Sequence, residues 1–320
     1  MRRQKAICWP TPPDCEVTMR VYTLTLNPAY DVHATAETFR ACSENLATVT
    51  SREAGGKGVN ISRALATGNT DNTAIIVLGK DNGEEFKKGV KEAGISAVYL
   101  EKPGRIRENL TLHSPGAPET RISFAGFSVG AEILREVMDT MIVDQNTVVT
   151  FTGRVPAGIE KADVLAFLQG LKNRGAKLVL DSKSLTPKDI LAIGPWLIKP
   201  NQDEISEYLG CTIETVAQAA EQAAVFADKV ENVMVSMGEQ GALLLTGGNV
   251  YTAVPPQIAA VSTIGAGDST IAGFIAGTAL GETPARCLKQ AVAYGTAACL
   301  TEGTLPPRLD DIVKIWEEIQ

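Results

Sequence analysis

The chain has 320 residues, 44% of them hydrophobic and 21% charged, with a formal net charge of -7 and no basic block beyond the first few positions. That length allows one large α/β domain or two ordinary ones, and the charge balance excludes a nucleic-acid groove or a polybasic membrane surface. Six cysteines at 8, 15, 42, 211, 287 and 299 form no C-x-x-C, and the histidines number two, His33 and His113, so neither a zinc site nor a Ser-His-Asp hydrolase fits.

Residues 1–18, MRRQKAICWPTPPDCEVT, carry three prolines between positions 10 and 13 and no apolar run long enough for a signal peptide. They read as a disordered N-terminal extension, with the domain proper over 19–320. No stretch of 18 apolar residues occurs, which speaks against a membrane span, and the scattered thiols suit a reducing cytoplasm.

In chain order, short apolar runs predict strands over Val21–Leu26, Ala74–Leu78, Thr147–Phe151, Lys177–Asp181, Trp196–Lys199 and Asn232–Ser236. Helical patterns lie between them, at 58–67, 83–93, 130–141, 160–174, 203–209 and 214–229. This alternation predicts a doubly wound, mostly parallel sheet with helices on both faces, and near-continuous apolar strands such as A-I-I-V-L suit burial on both sides. Residues 32–53 and 105–125 break the rhythm; they predict a small β-sheet lid, the second segment folding back at S-P-G-A-P. A hairpin follows over Ala242–Thr246 and Val250–Val254. Two long helices close the pattern, 268–280 and 284–299, the second with Thr283 as N-cap and Pro284 at its first position.

The stretch V-S-T-I-G-A-G-D-S-T, 261–270, sets Gly265, Ala266 and Gly267 ahead of Asp268 at a helix start. Free N–H groups there make an anion pocket. Asp268 either complements the helix dipole, worth about 0.3–1 kcal/mol, or takes a proton from a hydroxyl attacking a phosphoryl group held in that pocket. A Walker A loop is absent, and no G-x-G-x-x-G opens a first βα unit.

Four more stretches carry polar groups at element ends. A-G-G-K-G-V-N, 54–60, is a strand-to-helix turn in which Gly55 and Gly56 let a ligand approach and Lys57 and Asn60 offer polar contacts. L-T-L-N-P-A-Y-D, 24–31, ends a strand at Asn27-Pro28, leaving Asp31 as an exposed turn acid or as a carboxylate for vicinal sugar hydroxyls. K-P-N-Q-D-E, 199–204, is either an Asx turn with an acidic first helical turn or a place where Asn201 and Glu204 hold a hydrated Mg²⁺. V-S-M-G-E-Q-G-A, 235–242, is a turn with room for a nucleotide against backbone.

In this order and spacing, these stretches, with R-E-N-L at 107–110, resemble the PfkB sugar-kinase family on the ribokinase-like fold, in its 1-phosphofructokinase and tagatose-6-phosphate kinase branch. The resemblance covers about 19–320. It implies Asp268 as catalytic base with Gly265, Ala266 and Gly267 as the anion hole. It implies Asp31, Gly55, Gly56, Lys57 and Asn60 on the sugar and Arg107 on the substrate phosphate. It implies Lys199, Asn201, Ser236, Gly238 and Gly241 at ATP, Asn201 and Glu204 at Mg²⁺, and pairing through the lid as a homodimer. Two departures stand out. Arg154 in F-T-G-R-V-P replaces a serine that holds substrate in relatives, and an arginine fork there suits the same phosphate. Lys183 in D-S-K-S adds a cation close by. The activity implied is ATP-dependent phosphorylation of a ketose phosphate, foremost fructose 1-phosphate, with tagatose 6-phosphate or fructose 6-phosphate as close alternatives. A non-catalytic sugar-phosphate sensor is the alternative from another class.

Overall fold

The computed structural model describes residues 19–116 and 119–320; the extension read over 1–18 and two residues of the 114–118 turn, Ala117 and Pro118, lie outside the described residues. The chain opens on β1 (Arg20–Thr25), then leaves the main sheet for β2 (Ala29–Thr35) and β3 (Thr48–Gly55). Next come α1 (Lys57–Thr67), β4 (Thr73–Gly79), α2 (Gly83–Glu92) and β5 (Ala97–Lys102). The chain visits the small sheet again in β6 (Arg107–His113) and β7 (Thr120–Ser123), and returns through α3 (Glu132–Asp139) to β8 (Thr147–Thr152). The second half runs α4 (Lys161–Asn173), β9 (Lys177–Asp181), α5 (Pro187–Ile193), β10 (Leu197–Ile198), α6 (Gln202–Leu209), α7 (Val216–Ala223) and β11 (Asn232–Ser236). It finishes with the hairpin β12 (Ala242–Thr246) and β13 (Asn249–Ala253), then α8 (Ala266–Ala279), α9 (Pro284–Ala298) and α10 (Leu309–Glu318).

The main sheet has nine strands in the order β13-β12-β11-β10-β9-β8-β1-β4-β5, parallel except for the pairs β11–β12 and β12–β13. Successive residues of a strand face opposite layers. Val149, Leu178 and Leu243 join Ile133, Phe167 and Ile205 in one core. Their neighbours Val148, Val179 and Leu244 join Ile61, Ile271 and Leu288 in the other. Helices therefore cover both faces, as the apolar strands required. From β1 the chain first builds outward through β4 and β5, then returns to lay β8 on the opposite side of β1. That reversal of strand order opens a crevice beyond the carboxyl ends of β1 and β8, where open α/β sheets bind ligands.

The second sheet has four strands, β3-β2-β6-β7. Tyr30 and Val32 on one face pack with Phe86 and Val90 of α2. The opposite face sets Asp31 beside Asn109, and Asn109 beside Ser123, in register across three strands. Among the described residues no helix is long and apolar enough to cross a membrane.

Several elements differ from the sequence reading. Asp31 is not an exposed turn acid: the chain resumes strand at Ala29, because Tyr30 and Val32 are drawn into the core, and Asp31 is 8% exposed. Helix 214–229 shortens to α7 and a 3₁₀ turn over 224–226. The helix expected from 268 begins at Ala266. No element was expected over β5, α5 or α10. β5 is an edge strand of intermediate burial without clean alternation. α5 is a seven-residue helix fixed by a Thr186–Asp189 capping box. α10 is held by Ile312 and Ile315 against the second core.

Candidate active site

A cleft of about 520 Å³ lies over the carboxyl ends of β1 and β8, between the small sheet and the starts of α1, α6 and α8. It gathers Asp31, Gly56, Lys57, Asn60, Arg107 and Arg154 with Lys199, Asn201, Glu204, Gly265, Gly267 and Asp268. Five further residues singled out by sequence do not line it. Gly55 stands behind Asp31, where a Cβ would fall 2.2 Å from Oδ2. Ala266 is the first residue of α8. Ser236, Gly238 and Gly241 lie at the end of β11 and the turn into β12, one strand beyond Asn201, which Ser236 meets through a parallel bridge.

The start of α8 is built on Gly265, a left-handed N-cap at φ 78°, and no side chain caps the helix. Its first amides therefore present partial positive charge to the cleft. A Cβ at Gly267 would fall 3.2 Å from Lys199 Nζ, so glycine lets the buried ammonium sit against the helix start. Asp268, in the first turn, is 6% exposed and accepts a hydrogen bond from Asn60 Nδ2 at 3.0 Å. Its pKa is pushed up to about 6: burial is the main cause, Lys57 opposes it, Asp181 reinforces it, and Asn60 and Lys199 pull back. Lys57 Nζ donates to Asp181 Oδ2 at 2.9 Å. Burial disfavours both charges of that pair, yet each holds the other ionised: Lys57 shifts up and Asp181 down. A carboxylate poised near neutrality beside an anion pocket and two ammonium groups has the make-up of a general base for phosphoryl transfer.

At the other end, Asp31 accepts hydrogen bonds from Asn109 Nδ2 at 3.0 Å and Thr304 Oγ1 at 3.3 Å. Arg107 Nη1 donates to Asn109 Oδ1 at 3.1 Å and Phe124 O at 3.3 Å, while its Nε has no hydrogen-bond partner among the described residues. Burial lowers the Arg107 pKa; Asp31 counters this and Arg154 adds to it by repulsion. Two guanidinium groups that repel across a cleft suit an anion between them. The cleft is lined by six cations (Lys57, Arg107, Arg121, Arg154, Lys183, Lys199) against four carboxylates (Asp31, Asp181, Glu204, Asp268), in a chain whose net charge is -7. The excess is local and suits phosphorylated ligands.

Asn201 is the N-cap of α6: its Oδ1 accepts from Glu204 N at 2.8 Å, and Glu204 Oε2 accepts from Asn201 N at 3.1 Å. Glu204 Oε1 remains, with Lys183 Nζ 3.8 Å away. Among the described residues no group of three or more His, Cys, Asp or Glu could hold a metal. A hydrated Mg²⁺ carried on substrate phosphates needs only one or two carboxylates, and the remaining oxygen of Glu204 meets that need.

Sequence reasoning left Asn109, Arg121, Asp181 and Thr304 without roles. Asn109 and Asp181 stand inside stretches already singled out, so proximity along the chain was a usable signal. Thr304 reaches Asp31 from 273 positions away, which no local pattern reveals.

The family model for pfkB family carbohydrate kinases matches residues 24–311. The chain is 31% identical over 282 residues to the 1-phosphofructokinase of Escherichia coli strain K12, covering 87% of this chain and 90% of that protein. Among solved structures, phosphofructokinase-2 from Escherichia coli in complex with substrates and products is similar with a TM-score of 0.88 and 27% identity, covering 93% of this chain and 99% of that one. The tetrameric inhibited form of phosphofructokinase-2 from Escherichia coli is similar with a TM-score of 0.82 and 25% identity, covering 94% and 99%. The chain belongs to the pfkB family of carbohydrate kinases and is a sugar kinase, a phosphotransferase.

Proposed function

We propose that this kinase transfers the γ-phosphoryl group of ATP to the 6-hydroxyl of fructose 1-phosphate, giving fructose 1,6-bisphosphate and ADP. The observation that carries the reading is Asp268: a buried carboxylate with a pKa near 6, in the first turn of α8, on the same cleft as Arg107 and Arg154. Similarity to a 1-phosphofructokinase supports the choice of sugar.

Asp31, held by Asn109 and Thr304, accepts hydrogen bonds from sugar hydroxyls; Gly55 leaves space for the Asp31 carboxylate, and Gly56, at φ 114°, turns the chain along the cleft wall beside the sugar. Arg107 and Arg154 grip the phosphate already on the sugar. The free primary hydroxyl then points at Asp268, which takes its proton as the oxygen attacks phosphorus. The amides of Gly265, Ala266 and Gly267, with Lys199 and Lys57, meet the charge on the transferred phosphoryl oxygens. Glu204, oriented by Asn201, is the residue that would hold a hydrated Mg²⁺, which neutralises charge between the nucleotide phosphates when bound. Lys199 and Asn201 face the nucleotide, and Ser236, Gly238 and Gly241 extend that side beyond the cleft.

The small sheet acts as the lid, and the chain pairs through it as a homodimer; exposed Val49 and Ile122 on its strands, with Leu46 and Phe124 in the flanking segments, support that reading. Residues 19–320 form the catalytic unit, with 1–18 dispensable. The need for ATP and the four unpaired described cysteines suit a cytoplasmic enzyme.

ADP release measured over fructose 1-phosphate, fructose 6-phosphate, tagatose 6-phosphate and free fructose tests the reading. Fructose 1-phosphate should show the highest kcat/KM. A higher value for another phosphate reassigns the sugar, and tight sugar binding with no ADP release for any of them removes the kinase reading in favour of a sensor.

A further inference from the structure

Lys183 departs from the family pattern, and no step of the phosphoryl transfer uses it. It stands in the turn from β9 into α5, against the Gly153–Val155 turn that carries Arg154. Side chains stitch the two turns together. Ser182 Oγ donates to Gly153 O at 2.5 Å, and Val155 N donates to Ser184 Oγ at 3.1 Å. The backbone on both sides of Lys183 is thereby fixed, while its own side chain lines the cleft and is 66% exposed.

The Lys183 ammonium lies 3.8 Å from Glu204 Oε1. The other Glu204 oxygen is committed, since Oε2 accepts from Asn201 N in the capping box of α6. The remaining cleft carboxylates have closer partners: Asp181 accepts from Lys57 at 2.9 Å, Asp268 from Asn60 at 3.0 Å and Asp31 from Asn109 at 3.0 Å. Lys199 is buried against the start of α8. The Lys183–Glu204 pair is longer, and its lysine is solvated. Such a pair is weak and readily exchanged.

One oxygen therefore has two claimants. A hydrated Mg²⁺ carried on nucleotide phosphates needs a carboxylate, and Glu204 Oε1 is the oxygen left for it. Both cations answer the same difficulty. Glu204 and a polyphosphate are like charges in one cleft, and a cation between them removes the repulsion. The two cations repel each other, so they cannot share the place at once. A lysine suits an exchangeable role: its charge is compact, its stem is flexible, and it lacks the fork by which arginine holds a carboxylate at two points.

We propose that Lys183 is a removable counter-ion that shares its place with the metal. It bridges Glu204 to the nucleotide polyphosphate when no metal is bound, and it gives way to solvent when Mg²⁺ takes Oε1. Lys183 thereby sets how strongly nucleotide binding depends on metal. This rests on the reading that ATP lies on the Asn201 side of the cleft with Glu204 toward Mg²⁺.

Calorimetry on the full chain, with ATP in EDTA and with ATP in excess Mg²⁺, tests the assignment. The parent should bind both forms. Lys183→Met, at an exposed turn position, should weaken metal-free ATP about ten- to hundredfold, the loss of a charge-assisted contact to phosphate. MgATP should stay within about twofold of the parent, and Lys183→Arg should restore metal-free binding. By linkage, the Mn²⁺ affinity of the enzyme–ATP complex, read by electron paramagnetic resonance, should rise in Lys183→Met by the factor that metal-free ATP loses. An unchanged metal-free affinity in Lys183→Met overturns the proposal. Equal losses with and without metal also overturn it, leaving Lys183 a plain phosphate contact. A parent that binds MgATP but no metal-free ATP overturns it as well. If ATP binds in neither form, the nucleotide reading itself fails; if both forms bind and Lys183→Met moves neither, the failure is confined to Lys183.

Discussion

Asn60 Nδ2 donates to Asp268 Oδ2 at 3.0 Å across 208 positions of sequence. The bond joins the start of α1, which follows the A-G-G-K-G turn, to the start of α8, which carries the anion pocket. It orients one carboxylate oxygen and favours its charged form against burial.

Asp268→Asn should bind ATP and sugar with affinities within about twofold of the parent and lose about 10²–10⁴-fold in kcat, the span of a general base. Calorimetric binding constants beside steady-state kcat separate the two effects. An unchanged kcat takes Asp268 out of the mechanism.

The same substitution should stabilise the protein. The folded pKa of Asp268, about 6, exceeds the unfolded value, so the folded state binds the extra proton as pH falls. Stability attributable to this group therefore declines as pH rises from the unfolded pKa through about 6, and is fully lost above it. Asp268→Asn should raise stability at pH 7.5 by on the order of 1–3 kcal/mol, fading to nothing near the unfolded pKa of about 4. Urea melts across that pH range measure it; a destabilised variant at pH 7.5 contradicts the burial account.

The pH profile of kcat/KM should fall on the acid side of about 6, where Asp268 takes up its proton in the free enzyme. Asn60→Leu removes a bond that favours the charged carboxylate, so its acid limb should move to higher pH. A limb that stays in place assigns the titration to another group.

Arg154→Ser should raise KM for fructose 1-phosphate about ten- to hundredfold with KM for ATP unchanged, from the loss of a charge-assisted contact to phosphate. Free fructose, which lacks that phosphate, should be nearly indifferent to the change. Equal losses for both sugars would mean that Arg154 shapes the cleft without touching phosphate.

Gly55→Ala sets a Cβ 2.2 Å from Asp31 Oδ2, so one of them must move. Because Asp31 is buried and tied to Asn109 and Thr304, the sugar KM should rise by about tenfold or more while the fold melts cooperatively. A parental KM would release Asp31 from the sugar.

The strand-helix alternation, burial of the strands on both faces, and a glycine-led helix start before Asp268 were legible in the amino-acid order alone. They are local properties: period, apolar run length, and the free N–H groups that any helix start must expose. The sequence motifs also contained most of the charged groups that line the cleft. Tertiary structure alone decided which of them meet. Val21–Leu26 and Thr147–Phe151 read as strands from sequence, but nothing in either shows that they become neighbours and open the crevice between them. Asp31 reads locally as a turn acid and becomes a buried strand residue because Tyr30 and Val32 beside it are pulled into a core with Phe86. Lys57 meets Asp181, and Thr304 meets Asp31, only through chain returns of 124 and 273 residues. The pKa of Asp268 belongs to the same class: a carboxylate in sequence has its ordinary acidity, and burial beside Asp181, set against Lys57, raises it to about 6.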